Sequence, residues 1–259
     1  MALSLAARVF EFLLGLCLLL QSLEYLTIQR LDRVGDWAIQ RAEVPQRPRW
    51  IRAGLDQLFK PLPYQLMLWL RLALALALMA GQLGLAGAGL LFVIALALLL
   101  RWRGAFNGGS DFMTLVGLTG LLMAHALAAL GEPVLGWRAC LWYVSLQAMS
   151  SYFVSGWVKL LRPEWRSGRA LSVFLDTGIY GPLSQQSVFH RPRVARACAW
   201  AFTVWEGCFP LALLDLRLAI VFCSSAAVFH GLVFWYFGLN RFFWAWLSTF
   251  PALLYCAAA

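Results

Sequence analysis

Long apolar runs, separated by short polar segments, follow one another along almost the whole chain. A helix needs about 20 apolar residues to cross the hydrocarbon core of a bilayer. The pattern therefore predicts an all-α protein, a polytopic membrane helical bundle of seven to eight transmembrane helices, of which the last is short. The predicted spans are 4–26, 63–81, 84–101, 112–131, 137–161, 194–214, 217–239 and 242–256.

Two longer polar connections interrupt this pattern. Residues 27–62 are rich in arginine and end in "KPLP", which stops a helix, and residues 162–193 combine arginines with the Gly/Pro-containing "DTGIYGPLSQQS". Each connection is expected to contain an amphipathic segment at the membrane interface. No soluble domain is expected after the last span, so residues 1–259 are predicted to form a single integral-membrane domain.

Composition supports a membrane protein and excludes two other classes. The chain is 62% hydrophobic and 13% charged, whereas soluble domains are about 25% charged. The formal charge of +9 comes from short basic runs between apolar spans, a positive-inside pattern that does not favour nucleic acid as a partner. The six cysteines lie in apolar segments without a CxxC pair, so neither a disulfide framework nor a metal site is predicted.

Ionisable residues inside predicted spans are costly and often functional, and two of them, Glu206 and His230, are candidates for chemistry. Glu206, in "AFTVWEGCFPLALL", is a candidate proton acceptor or partner of a basic group; a structural ion pair or a neutral acid is the alternative. His230 is either a structural group or a base whose tautomer is fixed by Glu206 in the neighbouring helix.

Lys159 ends an apolar segment in "SGWVKLLRPEWRSGRAL" and is one of two lysines in the chain. Two interpretations are open. It is a cation that snorkels to the membrane surface, or it is a catalytic base, and the residues alone favour snorkelling.

The segment "SSYFVSGWVKLLRPEWRSGRAL" resembles the HTTM domain, the membrane portion shared by vitamin K-dependent gamma-carboxylase and its bacterial relatives, and more distantly lipase maturation factors. That family has an aromatic-rich helix, a glycine, a lysine, an acidic residue before a tryptophan, and a further glycine. "LFKPLPYQLMLWL", "NGGSD", "VWEGCFPLALL" and "FHGLVFWYFGLNRFFWAWLSTFPALL" resemble other family segments in the same order. Here the first motif corresponds to Tyr152, Phe153, Gly156, Lys159, Glu164, Trp165 and Gly168.

The resemblance implies a function at a membrane-embedded cavity. Lys159 would be the base, as the matching lysine is thought to deprotonate vitamin K hydroquinone, with Glu206 and His230 as its polar neighbours. A quinone-like ligand follows by analogy, with the cofactor otherwise unassigned, and the substrate would be a peptide or a lipophilic molecule in a bacterial inner membrane. The predicted cavity rim is Trp165, Arg166, Arg169, Asn107, Asp111 and Asn240.

A second function belongs to another class, a non-catalytic assembly or scaffold subunit of a membrane complex. The Ala/Leu-rich second and third spans favour it, and the carboxylase has a large soluble domain that is not expected here.

The sequence gives two conflicting predictions of membrane orientation. Most of the 21 lysines and arginines predict cytoplasmic long loops, whereas the resemblance implies that residues 27–62 are extracytoplasmic.

Overall fold

The computed structural model describes residues 1–31, 37, 41, 48–102 and 108–259. These residues form helices and connecting turns without a strand, which confirms the all-α prediction. Within these described ranges, five helices are long and apolar enough to cross a membrane, which is compatible with an integral membrane protein. They are Leu3–Arg30, Pro61–Ala80, Leu85–Trp102, Gly109–Ala129 and Leu216–Phe237.

The chain folds into two compact units. The N-terminal unit is Ala7–Cys140, and the C-terminal unit combines Met1–Ala6 with Leu141–Ala259. The helices α1 to α6, in chain order, are Leu3–Leu31, Arg49–Leu58, Pro61–Met79, Leu85–Trp102, Gly108–Ala129 and Pro133–Leu161. Helix α6 begins in the N-terminal unit and continues into the C-terminal unit.

The interior of the N-terminal unit holds arginines among polar and aromatic partners. Arg71, inside a predicted span, is 2% exposed and donates hydrogen bonds to Gln21 Oε1 at 2.7 Å and Ser22 Oγ at 3.1 Å. The Arg101 guanidinium lies 4.0 Å from the ring centre of Tyr64, a cation–π geometry. Each charge is therefore directed into the unit, where acceptors and ring faces offset part of its desolvation.

Amphipathic helix α2 lies in the first long connection and is not among the five apolar helices. It has no buried residue, and Trp50 is 76% exposed. Such a helix is typical of a segment that lies along a membrane surface.

The C-terminal unit contains six further α-helices and two 3₁₀ segments after α6. The α-helices α7 to α12 are Pro163–Arg166, Arg169–Leu175, Pro192–Gly207, Leu216–Phe237, Asn240–Leu247 and Phe250–Cys256. The 3₁₀ segments are Val188–His190, before α9, and Phe209–Leu213, after it.

Two predicted spans are divided in the structure. The span 194–214 becomes the 16-residue helix α9 and the 3₁₀ segment Phe209–Leu213. Pro210 lies in the first turn of that segment, where a residue without an N–H cannot continue the preceding helix. The span 242–256 becomes α11 and α12, with Pro251 in the first turn of α12. Neither segment is a single apolar helix of spanning length.

Candidate functional site

Helix α6 places three polar side chains on one face. Ser155 follows Tyr152 by three residues, and Lys159 follows Ser155 by four. Such spacings place side chains one above another along one side of a helix. Gly156 lies beside them and contacts helix α9, where a Cβ added to it would be 2.5 Å from the backbone nitrogen of Gly207. The missing side chain lets the two backbones approach closely.

Lys159 reaches Glu206 on α9 across this close contact. Lys159 Nζ donates to Glu206 Oε2 at 2.6 Å and to Ser155 Oγ at 2.5 Å. Ser155 Oγ donates in turn to Glu206 Oε1 at 3.1 Å. The side chains of Lys159 and Glu206 are only 13% and 6% exposed. The three residues form a closed ring of hydrogen bonds around a largely buried ion pair.

Aromatic rings cover the ammonium group. Lys159 Nζ lies 4.8 Å from the ring centre of Phe202 and 5.2 Å from that of Trp165, both within the range of cation–π attraction. A snorkelling lysine would extend its ammonium toward the surface. Here the ammonium group is held by Glu206, so the structure does not support the snorkelling interpretation that the residues alone favoured.

A pocket of about 600 Å³ adjoins this ion pair. It is open to the surface and is not a closed cavity. Its walls combine hydroxyl groups, apolar side chains, the lysine and one indole ring. The lining residues are Ser150, Ser151, Val154, Ser155, Val158, Lys159 and Trp165.

His230 has a different partner from the one the sequence suggested. His230 Nε2 and the Tyr152 hydroxyl share a hydrogen bond of 2.5 Å, while Glu206 binds Lys159 and Ser155. The suggested Glu206–His230 pair is therefore wrong. The residue spacing along α9 and α10 could not identify the partner of His230, because spacing within a helix does not show which faces of two helices meet.

The Tyr152–His230 pair lies inside an aromatic cluster. The Tyr152 ring stacks on Phe209 with 3.8 Å between ring centres, and the His230 ring stacks on Trp246 at 5.1 Å. Tyr152 and His230 are each 2% exposed. Their hydrogen bond satisfies two polar atoms in surroundings that offer few others, which favours a structural role for His230.

The predicted rim residues are distributed over several places. Trp165 lines the pocket beside Lys159, but Arg166, Arg169 and Asn240 are not among its lining residues. Asp111 belongs to the N-terminal unit, where it borders a space of about 10 Å³ together with Arg71 and Gln21. Asn107 lies outside the described residues.

Sequence reasoning missed Ser155 and Phe202. Ser155 precedes Lys159 by four residues, a spacing that brings side chains together on a helix. This spacing is the feature of the sequence that could have identified Ser155 as a partner of Lys159. Phe202 precedes Glu206 by four residues on α9 in the same way. Both were overlooked because a serine or a phenylalanine in an apolar helix is unremarkable until its neighbours are known.

The fold and the site define a helical protein that has, in the part of the chain that the structure describes, five helices apolar enough to cross a membrane and a largely buried lysine–glutamate pair beside an open pocket. Comparison of the chain with protein-family models, with curated proteins and with solved structures finds no match. Among the described residues, no group of three His, Cys, Asp or Glu side chains could hold a metal ion.

Proposed function

We propose that this is an integral membrane protein that binds a peptide or lipophilic, quinone-like substrate in the pocket beside Lys159 and transfers a proton there. The observation that carries the proposal is the partly buried Lys159–Ser155–Glu206 ring, two of whose members line the pocket. The HTTM resemblance supports the role of Lys159. Seven to eight spans and a bacterial inner membrane are parts of the proposal that rest on the sequence.

The ion pair supplies a route for a proton. In the resting state the ammonium of Lys159 donates to Glu206 over 2.6 Å. A substrate that fills the pocket excludes water and raises the cost of two buried charges. Transfer of one proton from Lys159 to Glu206 then leaves a neutral amine, which accepts the proton of a substrate hydroxyl and leaves the substrate as an anion.

The pocket suits an aromatic hydroxylated ligand. A volume of about 600 Å³ is within the usual range for sites that bind small molecules. Trp165 offers a ring face, and Ser150 and Ser151 offer hydroxyl groups for orientation. These features support a hydroquinone as the ligand, as the resemblance implies.

A scaffold subunit of a membrane complex is the second candidate function. The ion pair joins α6 to α9 next to the Gly156–Gly207 contact and has its polar partners within the protein. A pair of this kind fixes the register of two helices without any chemistry. Under this alternative, Lys159 and Glu206 stabilise the fold for the benefit of partner subunits.

A hydroquinone probe separates the two functions. The purified full chain in detergent is mixed anaerobically with 2-methyl-1,4-naphthohydroquinone, whose anion has its own absorption band. The proton-transfer proposal predicts that the anion band grows on binding to the wild type at neutral pH. Lys159→Met should remove this band, whereas Lys60→Met, which changes the chain's other lysine, should keep it.

Folding is followed in the same samples by circular dichroism. If Lys159→Met unfolds the protein, the double variant Lys159→Met/Glu206→Gln provides the folded comparison, because it removes both charges together. A folded variant without Lys159 that still produces the anion contradicts the proposal. So does a wild type that never produces it.

A further inference from the structure

A second pocket, of about 350 Å³, lies at the start of helix α9. It is lined by Pro192, Arg193, Arg196, Ala197 and Trp200. The last four of these follow one another at spacings of three, one and three residues, which places them on one face of the helix. We propose that this face binds the phosphate group of an anionic phospholipid.

The charge at this face is not neutralised within the protein. Arg193 and Arg196 are exposed, and neither forms a salt bridge or a hydrogen bond through its side chain in the part of the chain that the structure describes. The pocket has no acidic lining residue, and the first turn of α9 contains none. Two positive charges therefore lie together without a counter-charge.

The helix itself adds to this positive potential. The N-terminus of an α-helix carries about half a positive charge, and α9 is 16 residues long with no side-chain cap at Arg191. Arginines are unfavourable at this end because they repel the helix dipole. A bound phosphate would offset the repulsion between the two arginines and also the repulsion between the arginines and the positive end of the helix dipole.

Neighbouring segments hold the face in place. The Trp200 indole donates a hydrogen bond to the backbone oxygen of Arg166 at 3.1 Å. Gly168, with φ of 84°, lies so close to α9 that a Cβ would be 2.4 Å from the backbone nitrogen of Arg196. The arginines and the indole therefore project from a fixed backbone, which lowers the entropy lost when a ligand binds.

The apolar end of the face indicates a lipid in preference to free phosphate. Ala197 and Trp200 follow the arginines, and Val204, one turn further on, is 53% exposed. Tryptophan is enriched at the level of lipid headgroups. From Arg193 to Val204 the helix rises about 16 Å, so a headgroup at the arginines leaves apolar surface for the glycerol and acyl chains.

Lipid binding to the purified full chain is measured by native mass spectrometry with phosphatidylglycerol, and phosphatidylcholine serves as the zwitterionic comparison. Phosphatidylglycerol should bind more tightly, and the double variant Arg193→Gln/Arg196→Gln should bind it about 30-fold more weakly. Arg193→Lys/Arg196→Lys should stay within about threefold of the wild type. Arg138→Gln/Arg217→Gln removes the same charge elsewhere and should leave the affinity unchanged.

Three results would overturn the proposal. One is equal affinity for the two lipids, and another is undiminished binding by the glutamine variant. The third is displacement of phosphatidylglycerol by an equal concentration of inorganic phosphate, which would make the site one for free phosphate. Should the glutamine variant fail to fold, the wild type alone decides, because its phosphatidylglycerol binding should weaken as sodium chloride rises.

Discussion

A Cβ placed on Gly156 of helix α6 would lie 2.5 Å from the backbone nitrogen of Gly207 on helix α9. The same atom would lie 2.9 Å from the backbone oxygen of Thr203. Glycine therefore permits a backbone-to-backbone contact that no other residue allows. Lys159 lies one turn beyond this contact and Glu206 directly precedes Gly207, so the contact brings the two charges within reach.

Gly156→Ala should destabilise the protein. The new methyl group meets backbone atoms that cannot rotate away, so α6 and α9 must separate, at a cost of about 1–3 kcal/mol. The separation should also weaken the Lys159–Glu206 pair. The free energy of unfolding is measured by denaturant titration in detergent.

The matched control is Gly207→Ala, at the other glycine of the contact. A Cβ there meets no atom within 4 Å, so stability should change by less than about 0.5 kcal/mol. Equal effects of the two substitutions would show that the contact is not as close as described.

Glu206→Gln should be strongly destabilising. It leaves the ammonium of Lys159, whose side chain is 13% exposed, without its counter-charge, and breaking one side of a buried ion pair costs about 3–5 kcal/mol. Lys159→Met should have a similar effect. The double variant should be closer to wild-type stability than either single variant, because both charges are gone.

The three variants and the wild type form a double-mutant cycle in unfolding free energy. A coupling well above about 0.5 kcal/mol is expected for residues in direct contact. Strictly additive effects would mean that the two side chains do not interact in the folded protein.

Tyr152→Phe should destabilise the aromatic cluster. It removes the hydroxyl that shares a 2.5 Å hydrogen bond with His230 Nε2 and leaves that nitrogen buried without this partner, at a cost of about 1–3 kcal/mol. Thermal unfolding followed by circular dichroism measures the loss. Tyr143→Phe changes a tyrosine on the same helix that is only partly buried and should be nearly neutral.

Asp56 of helix α2 should make stability depend on pH. A hydrogen bond from the Trp37 indole at 2.8 Å, with a further contribution from Arg41, holds the pKa of Asp56 below its ordinary value. A carboxyl whose folded pKa is lowered stabilises the fold at neutral pH and loses that contribution as the pH falls below about 4.

Asp56→Asn tests this dependence. The unfolding temperature of the variant should lie below that of the wild type at pH 7, and the difference should shrink toward pH 3. A difference that stays constant with pH would show that the carboxylate charge does not contribute.

The sequence predicted some parts of the candidate site and missed others for a definite reason. Lys159 and Glu206 could be found because charged residues in apolar segments are conspicuous. Their pairing could not, because Lys159 and Glu206 are 47 positions apart in the chain and meet through the Gly156–Gly207 contact between α6 and α9. The same limit applies to His230, which was paired with the wrong partner.

What the sequence by itself determined is the all-helical class and the location of the long apolar helices, because both follow from local hydrophobicity and length. Only the tertiary structure decided that Pro210 ends a span early, that the ammonium of Lys159 is held by Glu206, and that His230 binds Tyr152. Those outcomes depend on which faces of distant helices meet. Packing between helices determines which faces meet, and the residue periodicity of a single helix does not show it.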